Sequence, residues 1–392
     1  MNATTELPEP GPDAIAHSEE LSRLIRSRIR AADGWLDFSE YMQFALYAPG
    51  LGYYSGGATK FGESGDFVTA PEVSSLFSRS IARAVEPVSG AGKQILEFGA
   101  GTGTMAAGIL ETLSRDHALP DRYLILEVSA DLRDRQRQAL GERVPDLLPL
   151  VVWLDELPPP FDGVVLANEV VDALAASRFR IADDEEPAHA LGVSIERGRF
   201  AWAERPAPMS LREHIAGIEL GTGQALPPGF ASEVRMELPG FVNSVASVLR
   251  SGIGVFIDYG LPRRELYAPE RSDGTLLCHY RHRAHADPFF YPGLQDITAW
   301  VDFTALAEAA VAAGMRVDGY ATQASFLIAA GIENEFMAAG GADTQARLTL
   351  SREMQTLMMP AEMGEKFKVM WLGKGDAALG AGFESIDQRH RL

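Results

Sequence analysis

The sequence predicts an α/β protein: a mostly parallel sheet with flanking helices, a helical N-terminal cap and an inserted subdomain. Patterns typical of strands and helices alternate from about residue 93 onward, which favours parallel strands joined by right-handed connections. An apolar run at residues 95–98 ends in three alternating glycines, as is typical of a strand that turns sharply into a helix. The alternation breaks at about residue 181, where a charged loop precedes a hairpin pattern.

The N-terminal region is expected to contain a tail and a cap. Residues 1–17 are rich in Pro, Glu and Asp and are predicted to be disordered. From Ser18, a plausible helix N-cap, apolar residues follow one helical face, and helix patterns return at 38–46 and 70–84. We therefore assign residues 18–92 to a helical cap that contains a glycine-rich loop.

The predicted core has two parts separated by an insertion. Residues 93–180 form the first part, and residues 233–392 supply the remainder of the core and further segments around the site. Residues 181–232 are the insertion, in which a β-hairpin turns near Arg197 and Gly198. The core elements expected are strands at 95–98, 123–128, 151–154, 163–167 and 253–260 and a helix at 233–249.

The glycines Gly99, Gly101 and Gly103 indicate a ligand-binding turn. Glycine adopts positive φ and exposes bare backbone, and the helix expected at 105–114 would present unpaired N–H groups at its start. Such a turn suits a cofactor that carries a nucleoside, although an ordinary tight turn is the alternative. The dinucleotide pattern G-x-G-x-x-G would require glycine where Thr104 stands, so NAD and FAD are weaker candidates.

Two acidic residues accompany the glycines. Glu97 lies on the strand before them, and Glu127 follows the next strand, where it could bind ribose hydroxyls. Ligands of open α/β sheets bind outside the carboxyl ends of the strands, so both features should face one crevice. This pattern resembles class I S-adenosylmethionine-dependent methyltransferases, which have a Rossmann-like sheet. The resemblance implies that Glu97, Glu127 and the three glycines bind S-adenosyl-L-methionine.

A second group of polar residues follows the strand at 163–167. In the methyltransferase architecture this position borders the methyl-donor pocket, so Asn168 and Glu169 should lie beside the transferred group. If a helix begins here, Glu169 and Asp172 share one face because they are three residues apart. The alternative is a helix N-terminus at which the acids only favour the helix dipole.

Several motifs together resemble the MidA family over residues 40–330. That family includes the mitochondrial assembly factor of respiratory complex I, a protein-arginine methyltransferase. The resemblance implies symmetric dimethylation of an arginine in a complex I core subunit near the quinone site, with S-adenosyl-L-methionine as donor. The matching segments are residues 65–72 (GDFVTAPE), 97–103 (EFGAGTG), 168–172 (NEVVD), 257–260 (IDYG), 274–276 (GTL) and 296–303, together with His282, Asp287, Pro292 and Gly293.

Methylation of arginine gives these acids a chemical role. A guanidinium has a pKa above ~12 and is a poor nucleophile, so carboxylates must orient it and accept a proton as the methyl arrives. We assign Glu169 as the leading guanidinium ligand and Asp172 as a supporting acid. Asn168 and, on the glycine-rich loop, Asp66 are expected to contact the cofactor.

The resemblance also implies a substrate channel formed by His282, Asp296 and Asp258. His279 and His282 have helix-like spacing, but no Cys or acid stands at a familiar ligand offset, so no metal site is predicted. A surface loop with satisfied histidines is the alternative for this stretch.

Composition restricts the partners and the compartment. The 35 Lys and Arg residues stand against 54 Asp and Glu, which gives a net charge of −19. This charge opposes nucleic-acid binding and suits a basic protein substrate. Cys278 is the single cysteine, and no secretory or mitochondrial targeting segment or long apolar span is evident, so a cytoplasmic location is expected.

Two other functions remain open at this stage. The same fold could methylate a small molecule or another nucleophile, or the chain could be a non-catalytic assembly chaperone that retains the cofactor crevice. The sequence leaves the target arginine and the oligomeric state undetermined.

Overall fold

The structure is a computed structural model that describes residues 7–56, 69–182, 187–339, 344–380 and 382–392. The chain divides into two compact units. The first unit contains Met1–Phe67, Ala173–Glu237 and Arg263–Trp300, and the second unit contains Val68–Asp172, Leu238–Pro262 and Val301–Leu392.

Helices and strands of the described residues are numbered along the chain. The α-helices are α1 (Pro12–Ala31), α2 (Phe38–Tyr47), α3 (Ala70–Val73), α4 (Ser75–Val85), α5 (Thr104–Arg115), α6 (Ala130–Arg143), α7 (Met209–Thr222), α8 (Leu238–Val248), α9 (Arg263–Leu266), α10 (Phe303–Ala312), α11 (Gln323–Ala329), α12 (Ile332–Ala339) and α13 (Thr344–Met358). Short 3₁₀ helices cover Glu86–Val88, Pro145–Leu150, Pro269–Arg271, Phe383–Ile386 and Arg389–Arg391. The strands are β1 (Leu36–Asp37), β2 (Gln94–Phe98), β3 (Arg122–Leu126), β4 (Val151–Leu154), β5 (Phe161–Asn168), β6 (Ser177–Ile181), β7 (Ala188–Glu196), β8 (Arg199–Pro206), β9 (Ala231–Val234), β10 (Leu249–Leu261), β11 (Leu277–Tyr280), β12 (Arg283–His285), β13 (Asp296–Thr298), β14 (Val301–Asp302), β15 (Arg316–Thr322) and β16 (Phe367–Lys374).

The second unit is built on one sheet with the strand order β15-β16-β10-β5-β2-β3-β4, and β14 pairs with the end of β10. Strands β4, β3, β2, β5 and β10 are parallel, whereas β16 runs antiparallel to both of its neighbours. This arrangement confirms the predicted α/β fold with a mostly parallel sheet. The chain moves outward from β2 to β4 and then returns to β5 on the other side of β2. Open α/β sheets bind ligands at such a reversal, outside the carboxyl ends of the strands.

The core of the second unit lies on the faces of this sheet. Strand β5 reads as an almost continuous apolar run, as expected for a parallel strand covered on both sides. Helix α5 buries Ile109 and Leu110 completely, which contributes ~1.5–3 kcal/mol for each side chain. Gly108 lets α5 approach α4 closely, since a Cβ there would lie 2.5 Å from the Cβ of Ser78.

The first unit contains two antiparallel sheets and its own core. One sheet has the order β1-β7-β6-β9 with β8 paired to β7, and the other has the order β12-β11-β13. Helices α1 and α2 bury apolar side chains such as Ile25 and Phe38 in this core. The β7–β8 hairpin turns at Arg197 and Gly198, whose φ angles of 49° and 81° are typical of a type I′ turn.

The N-terminus differs from the prediction. Disorder is expected for residues 1–17, but α1 already begins at Pro12. Proline suits the first turn of a helix, and Asp13 in that turn favours the helix dipole. Ser18 is therefore not an N-cap; its hydroxyl donates to the carbonyl of Pro292 at 2.9 Å.

Two predicted helices also have different bounds. The helix expected at 70–84 is interrupted at Ser74, whose extended backbone separates α3 from α4 and whose hydroxyl accepts a bond from the N–H of Leu76. The helix expected at 233–249 starts only at Leu238, because Glu233 belongs to β9 and pairs with β6. In both places a contact made by a polar side chain or a neighbouring strand outweighs the local helix pattern.

The two units cut across the boundaries expected from the sequence. The predicted cap, 18–92, is divided, since its residues up to 67 belong to the first unit and the rest to the second. The insertion at 181–232 lies within the first unit, as does the segment Arg263–Trp300 of the expected core remainder.

Candidate active site

The glycine turn leaves β2 beside the end of β3. The N–H of Gly99 donates to the carbonyl of Leu126 at 3.0 Å, so pairing between the two strands continues to the start of the turn. Gly99, Gly101 and Gly103 have φ angles of 62°, 53° and 86°, and Gly103 precedes α5. A Cβ on Gly101 would have no neighbouring atom within 4 Å, so open backbone faces the crevice there. This geometry favours close approach of a ligand.

Glu127 directly follows β3 and is only 5% exposed. Its Oε1 accepts from the N–H of Ser129 at 2.9 Å, and its Oε2 accepts from Nε2 of Gln136 at 3.2 Å. Burial raises the pKa of the Glu127 carboxyl, and these two hydrogen bonds partly oppose that shift. The next residue, Val128, is an apolar side chain that is 75% exposed.

Sequence reasoning missed Gln136, which joins the glycine turn to Glu127. Its side-chain nitrogen also donates to the carbonyl of Gly101 at 3.0 Å, and its oxygen accepts from the indole of Trp153 at 2.9 Å. The sequence does contain a signal for it. Gln136 lies four residues after Leu132 and four before Leu140, both buried, so a polar residue occupies the buried face of α6.

Glu97 is buried within the sheet rather than open to the crevice. It is 1% exposed and accepts from the hydroxyl of Tyr123, on β3, at 2.7 Å. Burial, together with the charge of Glu127, raises the pKa of Glu97 to about 7, although the bond from Tyr123 opposes the shift. A cofactor contact by Glu97 remains a prediction.

The segment after β5 is a turn, and the helix on which the shared face of Glu169 and Asp172 depended does not form there. Glu169 has a φ of 53°, a left-handed conformation that costs a non-glycine residue about 1–3 kcal/mol. Its N–H donates to the carbonyl of Ile257 at 2.9 Å, and residues 169–176 contain bends and turns. Both the shared helix face and the alternative of a helix cap are therefore wrong. Residues held in such strained conformations are concentrated at functional sites.

Asp258 holds this turn in place. One of its carboxylate oxygens accepts from the N–H groups of Val171 and Asp172 at 3.0 and 3.1 Å, and the other accepts from the N–H of Tyr259 at 2.9 Å. Asp258 is 1% exposed. These bonds support the turn, and a channel role for Asp258 stays a prediction.

The acidic side chains of Asp172 and Glu72 interact with that of Glu169. Burial and then the charge of Asp172 raise the pKa of Glu169 to about 8, and the charge of Glu72 adds to the shift. A bond from the side-chain amide of Asn168 at 3.2 Å and one from the backbone N–H of Ala70 oppose it. The cluster therefore favours an additional cation. Glu72 ends the motif at residues 65–72, but the sequence predicts no role for it.

Three other predicted site residues lie elsewhere. Asp66 is outside the described residues. His282 is exposed on the two-residue turn between β11 and β12, in the first unit, with a φ of 59°. Asp296 also belongs to the first unit; it is 3% exposed and accepts from the hydroxyl of Tyr54 at 3.0 Å. Its contacts support the loop that contains Tyr54, and a channel role for His282 and Asp296 stays a prediction.

His279 and His282, whose spacing in the sequence is helix-like, both lie in the first unit. Within the ranges that the structure covers, no cluster of three or more His, Cys, Asp or Glu side chains is arranged to hold a metal ion. His279 lies on β11 and His282 on the following turn, so their spacing is not helical.

None of the described helices combines the length and apolarity needed to cross a membrane.

The chain is similar to known proteins in both fold and sequence. A crystal structure of a Burkholderia thailandensis protein bound to S-adenosyl-homocysteine matches with a TM-score of 0.93 and 45% identity, covering 99% of this chain and 100% of that one. The Drosophila melanogaster mitochondrial homolog of protein arginine methyltransferase NDUFAF7 is 27% identical, covering 96% of this chain and 90% of that protein. NDUFAF7 from Danio rerio is 28% identical, covering 86% and 83%.

The fold and these relatives define an S-adenosyl-L-methionine-dependent methyltransferase with a class I fold, as predicted. Residues 77–321 match the model of the family described as "Putative S-adenosyl-L-methionine-dependent methyltransferase", and the chain belongs to that family. The resemblance to the MidA family is likewise confirmed. S-adenosyl-L-methionine is the cofactor, and the open backbone at Gly101 and the acid at the end of β3 fit it.

Proposed function

We propose that the chain is a protein-arginine methyltransferase and that Glu169, Asp172 and Glu72 hold the guanidinium of the substrate. The observation that carries the proposal is the grouping of these three acidic side chains beside the turn after β5, where burial and the charges of Asp172 and Glu72 raise the pKa of Glu169 to about 8. A guanidinium offers several N–H donors in a planar arrangement that matches carboxylates. The names of the Drosophila and zebrafish relatives, both protein arginine methyltransferases, support this substrate class.

The donor side of the site consists of the glycine turn and Glu127. Gly101 offers backbone without a side chain, and Glu127 would accept hydrogen bonds from the ribose hydroxyls through the lone pairs that Ser129 and Gln136 leave open. Asn168, whose Oδ1 is buried without a hydrogen bond in the described structure, is the proposed link between donor and acceptor sides. S-adenosyl-L-methionine supplies an electrophilic methyl group on a positively charged sulfur.

The residues of the chain then orient the acceptor and remove a proton. The carboxylate of Glu169 accepts an N–H bond from the guanidinium and so fixes the attacking nitrogen. As the nitrogen–methyl bond forms and the sulfur–methyl bond of the donor breaks, leaving neutral S-adenosyl-homocysteine, this nitrogen would lose a proton to an oxygen of Glu169. Without substrate this carboxyl is protonated near neutral pH, because its pKa is about 8. The positive charge of the bound guanidinium would favour the ionised form, which can then act as the base. Asp172 keeps the substrate cation close through its charge.

We propose further that the substrate is a core subunit of respiratory complex I near the quinone site and that the enzyme acts in the cytoplasm. The MidA resemblance supports this substrate, and the product would be symmetric dimethylarginine. A net charge of −19 favours binding of a basic, arginine-containing segment over binding of nucleic acid.

Labelling tests this function and identifies the target protein in the same experiment. The protein is incubated with lysate and S-adenosyl-L-methionine that carries a labelled methyl group, and the modified residue is found by mass spectrometry. The Glu169→Gln protein, tested in parallel, controls for other methyltransferases in the lysate. Label on an arginine that depends on Glu169 supports the proposal. Label on a small molecule, or no Glu169-dependent label at all, contradicts it.

A further inference from the structure

Gln136 on α6 has contacts that tie together the two halves of the donor site. Its side-chain nitrogen donates to the carbonyl of Gly101 and to the carboxylate of Glu127 at 3.0 and 3.2 Å, and the residue is fully buried. We propose that Gln136 is the positioning residue that sets the separation between the glycine turn and Glu127. This inference rests on the donor placement proposed above.

The hydrogen-bonding partners of the Gln136 amide determine its orientation. The indole of Trp153 can only donate, so the atom 2.9 Å from it must be the amide oxygen of Gln136. The amide NH₂ group is then directed at the Gly101 carbonyl, which can only accept, and at the Glu127 carboxyl. Each of the three partners is satisfied by one planar side chain.

The bridge has an electrostatic consequence for the turn. The carbonyl oxygen of Gly101 carries a partial negative charge and the carboxyl oxygens of Glu127 are also negative, so these groups would repel each other without a donor between them. Helix α6 also approaches the turn at Gly103, where an added Cβ would lie 3.1 Å from the Cα of Gln136. The main chain of α6 therefore limits how far the turn can move, and the Gln136 amide fixes how Gly101 and Glu127 face each other.

Two substitutions separate this role from simple packing. Gln136→Met keeps the length of the side chain but removes both donor and acceptor. Gln136→Glu keeps its shape but places a carboxylate against two acceptors, so it can donate only when it is protonated. The charged groups around this position are Glu127 and Glu97 from the sheet and Arg133 and Arg137 from α6.

The test is calorimetric titration with S-adenosyl-homocysteine between pH 6 and pH 8. We expect the Kd of Gln136→Met to rise at least tenfold at every pH. The Kd of Gln136→Glu, divided by that of the wild type, should be largest at pH 8 and fall several-fold toward pH 6 as the new carboxyl gains a proton. Gln138→Met is the matched control, since Gln138 is exposed on the same helix and bonds only to Glu142 in the described structure; its Kd should be unchanged.

The outcomes separate this inference from the function on which it rests. Wild-type binding by folded Gln136→Met, or a pH-independent ratio for Gln136→Glu, overturns the role of Gln136. If Gln136→Met does not fold, Trp153→Phe removes the donor that orients the amide, and an unchanged Kd then overturns the role. Glu127→Ala tests the donor placement itself. If Glu127→Ala binds weakly and Gln136→Met binds normally, only the role of Gln136 is refuted. If both variants bind normally, the donor placement is refuted.

Discussion

At the scale of single residues, the proposed donor site includes backbone that carries no side chain. Gly99, Gly101 and Gly103 all adopt positive φ, and the sequence pattern is sufficient to predict where such a turn lies. The same pattern cannot reveal Gln136 or Glu72. Helical periodicity places Gln136 on the buried face of α6, but the carbonyl that it contacts lies 35 residues away in sequence. Glu72 acts on a carboxylate almost a hundred residues away, so the partners of these two side chains leave no local signal.

Replacing Gly101 by valine should abolish binding of S-adenosyl-homocysteine. Valine resists the φ of 53°, and its side chain would fill the space beside the open backbone. Gly90→Val is the matched control, because Gly90 also has positive φ and open surroundings but lies before β2. Calorimetry on both variants decides the matter, and full binding by folded Gly101→Val would exclude our placement of the donor.

Glu127→Ala should weaken donor affinity by ~1.5–3 kcal/mol, the usual contribution of hydrogen bonds to a charged group. The fold should survive, since Glu127 stands at the end of a strand and not in the apolar core. The Kd for S-adenosyl-homocysteine is the quantity to measure. A change of less than twofold, roughly 0.4 kcal/mol, would assign the ribose to another residue.

The raised pKa of Glu169 also makes a prediction about stability. In the unfolded chain this carboxyl ionises near its ordinary pKa of 4.5, whereas in the folded protein it holds its proton up to about pH 8. The folded state therefore binds more protons between these values, and its stability should fall as the pH rises from 4.5 to 8. Glu169→Gln removes this loss.

The melting temperature measures the effect. The melting temperature of Glu169→Gln minus that of the wild type should be larger at pH 8.5 than at pH 4.5. Glu196→Gln, at an exposed position on the β7–β8 hairpin, is the control and should show no such trend. A difference in melting temperature that does not change with pH would show that Glu169 is not held protonated by its neighbours.

At the scale of elements, the sequence indicates the strands of the parallel sheet more reliably than the segments between them. Strand β5 is recognisable because it is apolar along nearly its whole length. The turn after it resembles a helix in sequence, because residues 169–174 are compatible with one. Two N–H groups of this segment donate to Asp258 on β10, a strand that is far away in sequence but pairs with β5, and these bonds hold the segment in a turn.

Asp258→Asn should therefore disturb the turn without removing the donor site. An amide cannot accept all three backbone N–H bonds through the same two atoms, so at least one buried donor loses its partner at a cost of ~1–3 kcal/mol. We expect a lower melting temperature and slower methyl transfer, with the Kd for S-adenosyl-homocysteine changed less than threefold. Wild-type transfer by this variant would show that the turn needs no support from Asp258.

At the scale of the whole molecule, the class of fold is predictable from the sequence and the division of the chain is not. Alternating strand and helix patterns and the glycine turn identify the sheet of the second unit. The first unit combines three separate stretches of sequence, including Arg263–Trp300, which the sequence pattern places in the core remainder. Antiparallel pairings such as β6 with β9, which bring distant segments together, have no counterpart in a local pattern.

The central claim is that Glu169 binds and deprotonates the substrate arginine, and Glu169→Gln tests it most directly. Size and local packing are kept, while the negative charge and the proton-accepting oxygen are lost. A charge-assisted bond contributes ~1.5–3 kcal/mol, so the rate should fall at least tenfold. Asp172→Asn should cost less.

The measurement is single-turnover methyl transfer at saturating S-adenosyl-L-methionine to the protein that the labelling experiment identifies. Circular dichroism and S-adenosyl-homocysteine titration show whether each variant is folded and binds the donor. The account predicts donor binding as in the wild type with transfer at least tenfold slower for Glu169→Gln. Transfer at the wild-type rate by this variant would contradict the account.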